Sequence, residues 1–186
     1  LDGFIAGAND DVQRLFAWMF QGTQDLTLKT GEHDIDLKVS EQSIDMFEQA
    51  MNTNGAILAG RHLFDVAGAW GGKHPMNVPV VVLTHNIPQE WVYEGSTFTF
   101  VTDGIESALK QAQQIAGDKQ VAVASSTLVQ QCLKLGLLDE IHIDLVPVLL
   151  GQGTRLFDHL ETPIELELIK MVQAPGVTHM TYRVVK

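Results

Sequence analysis

Gly60, Arg61 and His62 follow directly after AILA, a short apolar stretch that is typical of a buried strand. The guanidinium of Arg61 offers a planar fork of donors that suits a phosphate, and the imidazole of His62 can add a second donor. A surface turn that carries an arginine is the alternative, since Gly-Arg pairs are common. These residues therefore predict either a phosphate contact or an ordinary turn.

A second strand end carries groups suited to a phosphate or a ribose. Thr84 and His85 end the β-branched run VPVVVLTH, and Pro88 prevents a regular continuation. Their hydroxyl and imidazole can bind a phosphate or a ribose, and an ordinary exit from a strand is the alternative.

The third strand end is rich in small hydroxylated residues. The stretch QVAVA ends at Ala124, and Ser125, Ser126 and Thr127 lie where the next helix is predicted to begin. Free backbone N–H groups at a helix start bind anions, and hydroxyls add further donors, although plain N-capping by serine is the alternative. Because all three strand ends share this character, together they favour a dinucleotide that lies across the edge of a sheet.

The chain opens on LDGFIAG, in which Gly3 and Gly7 flank Phe4, Ile5 and Ala6. Small residues and backbone groups there can let a flat ring lie against the chain, and a glycine-bearing loop is the alternative. The stretch reads like the end of a strand, and the sequence begins with leucine, not methionine. We therefore expect strand-forming residues ahead of it.

The elements that position these groups alternate between strand and helix. Apolar runs predict strands at GAILAG, VPVVVLTH, TFTFVT, QVAVAS and EIHIDLVPVLL. Helical periodicity predicts helices at EQSIDMFEQAMN, DGIESALKQAQQIAG and STLVQQCLKLG. IELELIKMVQ and VTHMTYRVVK indicate an antiparallel pair. The order predicts an α/β fold with a mixed, mainly parallel sheet, helices on its faces and an antiparallel C-terminal edge. Ligands of such sheets bind at the carboxyl ends of the parallel strands.

One of these helices also gives a detailed expectation. In DGIESALKQAQQIAG we expect Asp103 to be the N-cap and Gly117 to end the helix. The predicted buried face consists of Ile105, Ala108, Leu109, Ala112 and Ile115.

The stretch DEIHIDLVPVLLGQGTRLF combines a buried-looking strand with a proline and two glycines. Pro147 removes a ladder donor, so we expect it at a bulge or where the strand leaves its neighbour. Gly151 and Gly153 are expected to turn the chain away from the sheet. Arg155 is expected either to form a salt bridge or to contact a substrate phosphate.

The composition bounds the class of protein. The chain has 186 residues, of which 45% are hydrophobic and 19% charged, and this balance predicts one globular domain over residues 1–186. A net charge of −11 makes nucleic acid and anionic membranes poor partners, so an anionic ligand needs a local cationic site.

Compartment and metal content are predicted from what the sequence lacks. No apolar run approaches the roughly 18 residues of a membrane span, and no signal peptide is visible. The one cysteine, Cys132, lies in a predicted helix and fits a reducing cytoplasm. The seven histidines form no His-x-x-x-His pair, so no metal site is expected. The loop AWGGKHP, with an exposed tryptophan, is expected to be either a lid or a plain mobile loop.

Three stretches together resemble the dihydrofolate reductase-like superfamily, and within it the branch with the reductase domain of riboflavin biosynthesis, the deaminase-reductase C-terminal domain. LDGFIAG resembles the opening Ser-Leu-Asp-Gly-Phe-Ile-Ala of that family, and AILAGRHLF resembles its Gly-Arg strand end. GLLDEIHIDLVPVLLGQGTRLF resembles its most recognisable stretch, in which Gly-Leu-(Val/Leu)-Asp-Glu precedes Pro-Val-Leu-Leu-Gly and Leu-Phe. The resemblance covers essentially the whole chain.

The resemblance implies a three-layer fold, a homodimer and NADPH as hydride donor to a C=N or C=O carbon of a small heterocyclic substrate, which in riboflavin biosynthesis is a ribosylaminopyrimidine phosphate. Carried over by position, it implies cofactor contacts at Gly60, Arg61 and His62 near the 2′-phosphate, at Thr84 and His85 near the adenosine, at Ala124, Ser125, Ser126, Thr127 and Leu128 along the pyrophosphate, and at Ile5, Ala6 and Gly7 near the nicotinamide.

The chain departs from the family pattern where Ala124-Ser125-Ser126 replaces the usual Gly-Gly. Either the serine hydroxyls replace some backbone contacts to the cofactor, or cofactor binding is weak.

Two acidic residues are candidates for the catalytic proton donor. Asp45 is the nearest equivalent of the acidic helix residue that grips the pterin in dihydrofolate reductases, with a solvated helix residue as the alternative. Asp2 lies near the nicotinamide loop by resemblance. Because neither acid is assigned as the proton donor, and because serines replace the usual Gly-Gly, the alternative is a non-catalytic nucleotide-binding or dimerisation module with a degenerate cofactor site.

Overall fold

The structure is a computed structural model that describes residues 1–158 and 160–186. The chain forms two compact units, each taken in turn below. The first unit comprises Leu1–Leu26, Leu37–Met46 and Val129–Lys186, and the second comprises Thr27–Asp36 and Phe47–Leu128. Among the described residues, no helix is both long enough and apolar enough to cross a membrane.

The α-helices and strands are numbered in chain order. The helices are α1 (Gln13–Phe16), α2 (Glu41–Thr53), α3 (Arg61–Val66), α4 (Ile105–Ala116) and α5 (Ser126–Lys134). The strands are β1 (Phe4–Ala6), β2 (Gln24–Lys29), β3 (Asp34–Val39), β4 (Asn54–Gly60), β5 (Val80–Leu83), β6 (Phe98–Val101), β7 (Gln120–Ala124), β8 (Glu140–Leu145), β9 (Thr154–Arg155), β10 (Leu166–Ala174) and β11 (Val177–Val184).

The second unit is built on a parallel four-stranded sheet in the order β6-β5-β4-β7. Its strands are continuous apolar runs because both faces are covered, and Ile57, Val80 and Val82 are fully or almost fully buried. α4 packs against β4, β5 and β7, and α3 packs against β4 and β5. The predicted parallel core is therefore confirmed.

Two details of α4 differ from the prediction. Gly104, with φ 107°, occupies the N-cap position without a side-chain hydrogen bond, so the prediction of Asp103 as the cap is wrong. Ile115 is 39% exposed, because it lies at the edge of the buried arc that ends at Ala112 and Ala116. Gly117 ends the helix as predicted, with φ 62°.

The first unit contains an antiparallel sheet in the order β10-β11-β8. β10 and β11 form the predicted C-terminal pair, and a bulge at Ile169 separates the pairs Leu168–Tyr182 and Lys170–Thr181. In the same unit β1 pairs with β9. The predicted α/β class, with parallel strands and an antiparallel C-terminal pair, is confirmed; the single domain over 1–186 stays a prediction.

Pro147 lies just beyond the end of β8, which stops at Leu145. The chain leaves the ladder there through a tight turn in which Val148 N–H donates to the Val146 carbonyl at 2.8 Å. This confirms that the proline lies where the strand leaves its neighbour. Gly151 and Gly153 follow with φ of 77° and 133°, values that favour glycine and allow the predicted change of direction.

Candidate functional site

The three strand ends that carry the candidate residues are neighbours in the second unit. β4 lies between β5 and β7, with Gly60 opposite Leu83 and Ala59 opposite Ala124. Arg61 therefore follows β4 next to the point where Thr84 follows β5. The three strand ends that the sequence singles out are thus neighbours in the sheet, while the binding of a dinucleotide there stays a prediction.

Gly60 and Ser125 join two of these strand ends. The Gly60 N–H donates to Ser125 Oγ at 2.9 Å, and a β-carbon on residue 60 would lie only 3.0 Å from that oxygen. Ser125 itself has φ 156°, an unusual value for a residue with a side chain. The serine hydroxyl thus fills the space against Gly60 and takes up its N–H, which is then not a donor for a ligand.

The start of α5 contains the remaining residues predicted along the pyrophosphate. Ser126 and Leu128 are buried, and the Leu128 side chain belongs to the core. Thr127 is exposed in the first turn of the helix. Of these three side chains, the Thr127 hydroxyl is thus the one that faces solvent.

Arg61 begins α3, and its guanidinium is fixed by two acceptors. Nε donates to Asp65 Oδ1 at 2.7 Å and Oδ2 at 2.9 Å, and Nη1 donates to the Asn86 carbonyl at 2.7 Å. His62 follows on α3 and is exposed. The cation predicted for a 2′-phosphate is therefore present, but it already has a carboxylate partner.

Thr84 is buried, and its hydroxyl shapes the turn after β5. Oγ1 donates to the Asn86 carbonyl at 2.9 Å and accepts from Asn86 N–H at 3.3 Å. His85 is exposed beside this turn. Thr84 therefore positions Asn86, whereas His85 is the group that can reach a ligand.

The residues predicted near the nicotinamide lie in the first unit. Ala6 is opposite Thr154 in the short β1–β9 ladder, and Gly7 N–H donates to the Asp11 carbonyl at 2.7 Å. Ile5 is 37% exposed. A side chain at Gly153 would collide with the Ala6 carbonyl, so the backbones approach closely here.

Asp2 performs a structural task in the first unit. Its Oδ2 accepts the Gly151 N–H at 2.8 Å, and this hydrogen bond lowers the pKa of the Asp2 carboxyl below its ordinary value. Arg155 donates to the Asp2 carbonyl at 3.2 Å and lies 4.5 Å from the centre of the Phe4 ring. A carboxyl held in its ionised form is a poor proton donor, so these contacts argue against the predicted catalytic role of Asp2.

Asp45, the other acidic candidate, lies exposed on α2 in the first unit. It is on the solvent side of the helix, away from Ser43, which is buried. Asp45 therefore lies where the alternative reading of the sequence, a solvated helix residue, placed it.

A hydrogen-bonded chain in the first unit, centred on the buried His179, was not predicted from the sequence. His179 Nε2 lies 3.0 Å from Ser43 Oγ, and His179 Nδ1 lies 2.6 Å from Asp144 Oδ1. Ser40 caps α2, because its Oγ accepts the Ser43 N–H at 3.2 Å, and it also donates to Ser43 Oγ at 2.9 Å. The arrangement has the order of a serine–histidine–aspartate triad, but Ser43 is only 1% exposed and so does not meet a substrate.

The glycine-rich loop AWGGKHP has a packed tryptophan, so the prediction of an exposed one is wrong. Trp70 contacts Phe64 edge-on at 6.1 Å between ring centres and His74 at 4.6 Å. Burial lowers the pKa of His74 to about 4. The loop is anchored to the aromatic core of the second unit because Phe64 itself is 1% exposed.

Comparison with known proteins defines the class. The fold is that of the dihydrofolate reductase-like proteins: a dihydrofolate reductase from Enterococcus faecalis, complexed with NADP(H), superposes with a TM-score of 0.53 and 17% identity over 77% of this chain and 83% of that one. The RibD C-terminal domain family matches residues 1–180, and the chain belongs to that family. The resemblance inferred from the sequence is thus confirmed.

Individual relatives agree with this assignment. A putative riboflavin biosynthesis protein from Shewanella sp. PV-4 has a TM-score of 0.71 and 23% identity over 100% of this chain and 94% of that one. A deaminase and 5-amino-6-(5-phosphoribosylamino)uracil reductase from Thermotoga maritima has a TM-score of 0.60 and 14% identity, and the match covers 100% of this chain and 54% of that one. The uncharacterized protein YyaP of Bacillus subtilis (strain 168) is 25% identical over 98% of this chain and 89% of its own length.

Proposed function

We propose that this chain is a reductase that transfers hydride from NADPH to a C=N or C=O carbon of a small heterocyclic substrate. Membership of the RibD C-terminal domain family supports a reductase of the riboflavin-pathway type. The reduced nicotinamide supplies the hydride when it is bound, and the protein has to bind and orient both partners.

The observation that carries the proposal is the adjacency of three strand ends within the second unit. Arg61, Thr84 and Ser125 follow three neighbouring parallel strands, β4, β5 and β7. Nucleotides bind at the carboxyl ends of such strands, where loops and helix starts supply donors. The side chains present fit a nucleotide, since they include a guanidinium, an exposed imidazole and an exposed hydroxyl.

Each exposed group at this edge has a task that its chemistry suits. The Arg61 guanidinium can bind an anionic oxygen, and His85 can donate to or stack on the adenosine. Thr127, in the first turn of α5, can donate its hydroxyl to a phosphate oxygen. Thr84 acts indirectly, because its hydroxyl holds Asn86 in the loop beside Arg61.

A second candidate is a non-catalytic nucleotide-binding or dimerisation module with a degenerate cofactor site. Ser125 favours it, since its hydroxyl occupies the Gly60 N–H and the space next to it. The lowered pKa of Asp2 favours it too, because this acid is held ionised.

The experiment is a titration of the purified full chain with NADPH and, separately, NADH, read by quenching of tryptophan fluorescence. Turnover is then followed by loss of reduced-nicotinamide absorbance with a panel of pterins, pyrimidines and small carbonyl compounds. We expect micromolar NADPH binding and turnover with at least one substrate. Binding without turnover across the panel would favour the second candidate, and no binding of either cofactor would exclude both nucleotide functions.

Arg61→Ala tests the placement of the cofactor. We expect it to weaken NADPH binding more than NADH binding, since a guanidinium favours the 2′-phosphate. Arg14→Ala is the matched control, because Arg14 is an exposed arginine of the first unit. Equal losses of NADPH and NADH affinity in Arg61→Ala would show that Arg61 does not contact the 2′-phosphate.

A further inference from the structure

The guanidinium of Arg61 is held by a carboxylate of its own helix. Asp65 lies one turn further along α3 and accepts Nε–H with both oxygens, at 2.7 and 2.9 Å. A second N–H, on Nη1, donates to the Asn86 carbonyl at 2.7 Å. Two of the five N–H groups of the guanidinium are therefore committed to acceptors of the protein.

The Asn86 carbonyl, the second acceptor of Arg61, is held in place by a further hydrogen bond. The Asn86 carbonyl also accepts the buried Thr84 hydroxyl at 2.9 Å, so the turn after β5 keeps this oxygen aimed at the guanidinium. The side chains of Arg61 and Asp65 are 35% and 51% exposed, so their pair is within reach of a ligand at this edge. The positive charge that a ligand meets is thus largely compensated.

This compensation matters for one position of a nucleotide, the 2′ substituent of the adenosine ribose. A 2′-phosphate needs an uncompensated cation and is repelled by a nearby carboxylate. A 2′-hydroxyl instead donates a hydrogen bond to a carboxylate, which is how acidic residues select NAD in dinucleotide-binding folds. At this position a cation such as Arg61 therefore favours a 2′-phosphate, and a carboxylate such as Asp65 favours a 2′-hydroxyl.

We propose that Asp65 is a specificity-determining residue, which restrains Arg61 and lets the site accept nucleotides with and without a 2′-phosphate. The inference rests on the proposed function, because it places the adenosine ribose at this strand end. It goes further in naming the residue that sets the choice between NADPH and NADH, and in predicting that this choice is weak in the natural chain.

The test uses two small probes that isolate the adenosine end, 2′,5′-ADP and 5′-AMP, titrated calorimetrically against the full chain. The natural chain is expected to favour 2′,5′-ADP by less than tenfold. Asp65→Asn keeps the shape of the side chain and removes its charge, and we expect it to raise this ratio by about tenfold, mainly by tightening 2′,5′-ADP. NADPH and NADH should show the same change in their ratio of dissociation constants.

Two controls separate the local effect from net charge. Asp118→Asn makes the same change of charge just ahead of β7, at the opposite end of that strand from Ser125, and should leave the ratio unchanged. The double variant Arg61→Ala, Asp65→Asn should lose most of the gain, because the carboxylate acts mainly through the guanidinium that it holds. Asp65→Ala serves as a second variant if Asp65→Asn alters the stability of α3.

The outcomes distinguish this inference from the function on which it rests. If both probes bind and Asp65→Asn and Asp65→Ala leave the ratio unchanged, Asp65 does not set specificity, and the nucleotide site stands. A natural chain that already prefers 2′,5′-ADP by a hundredfold also overturns the inference. If neither probe nor cofactor binds, the proposed function fails and the inference fails with it.

Discussion

At the scale of single residues, the contact between Ser125 and Gly60 decides how a phosphate can approach the parallel sheet. A serine hydroxyl that accepts the Gly60 N–H competes with any ligand oxygen for that donor. Its β-carbon also fills space, since a side chain on residue 60 would meet it at 3.4 Å. Donor loss and steric loss are separate effects, and they can be separated by two substitutions.

Ser125→Gly is expected to tighten NADPH binding by about tenfold, which is the value of roughly one charge-assisted hydrogen bond. The substitution frees the Gly60 N–H, opens the space beside it and suits the φ of 156°. Ser125→Ala frees the donor but keeps the β-carbon. Titration of both variants shows which effect dominates: equal gains mean that the donor matters, and a gain in the glycine variant alone means that space matters.

We expect substitution of the buried His179 to lower the stability of the protein strongly. His179→Ala should lower the free energy of unfolding by about 3 kcal/mol, because it leaves the buried Ser43 hydroxyl without this partner and opens a cavity beside Trp18. Denaturant unfolding measures the change. His33→Ala is the control, because His33 is exposed and its hydrogen bonds with Thr30 use its backbone, so stability should change by less than about 1 kcal/mol.

The residue types at the strand ends could be predicted from the sequence, but their partners could not. Gly60, Arg61 and Thr84 stand out because each directly follows a run of apolar residues. Asp65 and Asn86 carry no such signal, and their contacts with Arg61 depend on the turns that α3 and the β5 loop make. The same holds for Ser43 and His179, which are 136 positions apart.

At the scale of elements, apolar periodicity found the parallel strands but not the hairpin of β2 and β3. QDLTLK and DIDLKV alternate apolar and polar side chains with the period of two that marks a half-exposed strand. The signal was therefore present, although weaker than the continuous runs of β4 and β5. The anchoring of the Trp70 loop had no local signal, because it depends on Phe64 and Phe98 from elsewhere in the second unit.

Because His74 is packed in the Trp70 loop, we expect the stability of the protein to depend on pH. Burial lowers the pKa of His74 from 6.5 to about 4, so between these values the unfolded chain binds more protons than the native one. Stability should therefore fall as the pH drops from 6.5 towards 4, by about 2 kcal/mol after allowance for partial exposure, and level off below.

Variants at two histidines isolate the contribution of His74. His74→Asn removes the titrating group and keeps an acceptor for the Met76 N–H, which now donates to His74 Nδ1 at 3.1 Å. Urea unfolding at a series of pH values should give a flatter profile for this variant than for the natural chain. His85→Asn, at an exposed site, should keep the pH dependence of the natural chain. An unchanged pH dependence in His74→Asn would show that another group causes the loss of stability in acid.

At the scale of the whole molecule, one face of the antiparallel sheet in the first unit is free of charge. The register places Ile141, Ile143, Leu145, Thr178, Met180, Tyr182, Val184, Leu166, Leu168, Met171 and Gln173 on this uncharged face. Leu168 and Met171, on β10, are 49% and 62% exposed. In the described part of the chain, β10 also pairs on one side only. The β10 side of this face is therefore an exposed apolar surface, and such surfaces are sites of association.

A second copy of the chain suits the uncharged face, which is where we expect the predicted homodimer to form. Each copy has a net charge of −11, so two copies repel, and the repulsion is smallest when the surfaces that meet carry no charge themselves. Association should therefore strengthen as salt screens the repulsion. Met171→Lys is expected to give monomers in analytical ultracentrifugation, because two lysines would be buried near each other. Val66→Lys adds the same charge at a 54% exposed site of the second unit and should remain dimeric. A dimer that persists in Met171→Lys would place the interface on another surface.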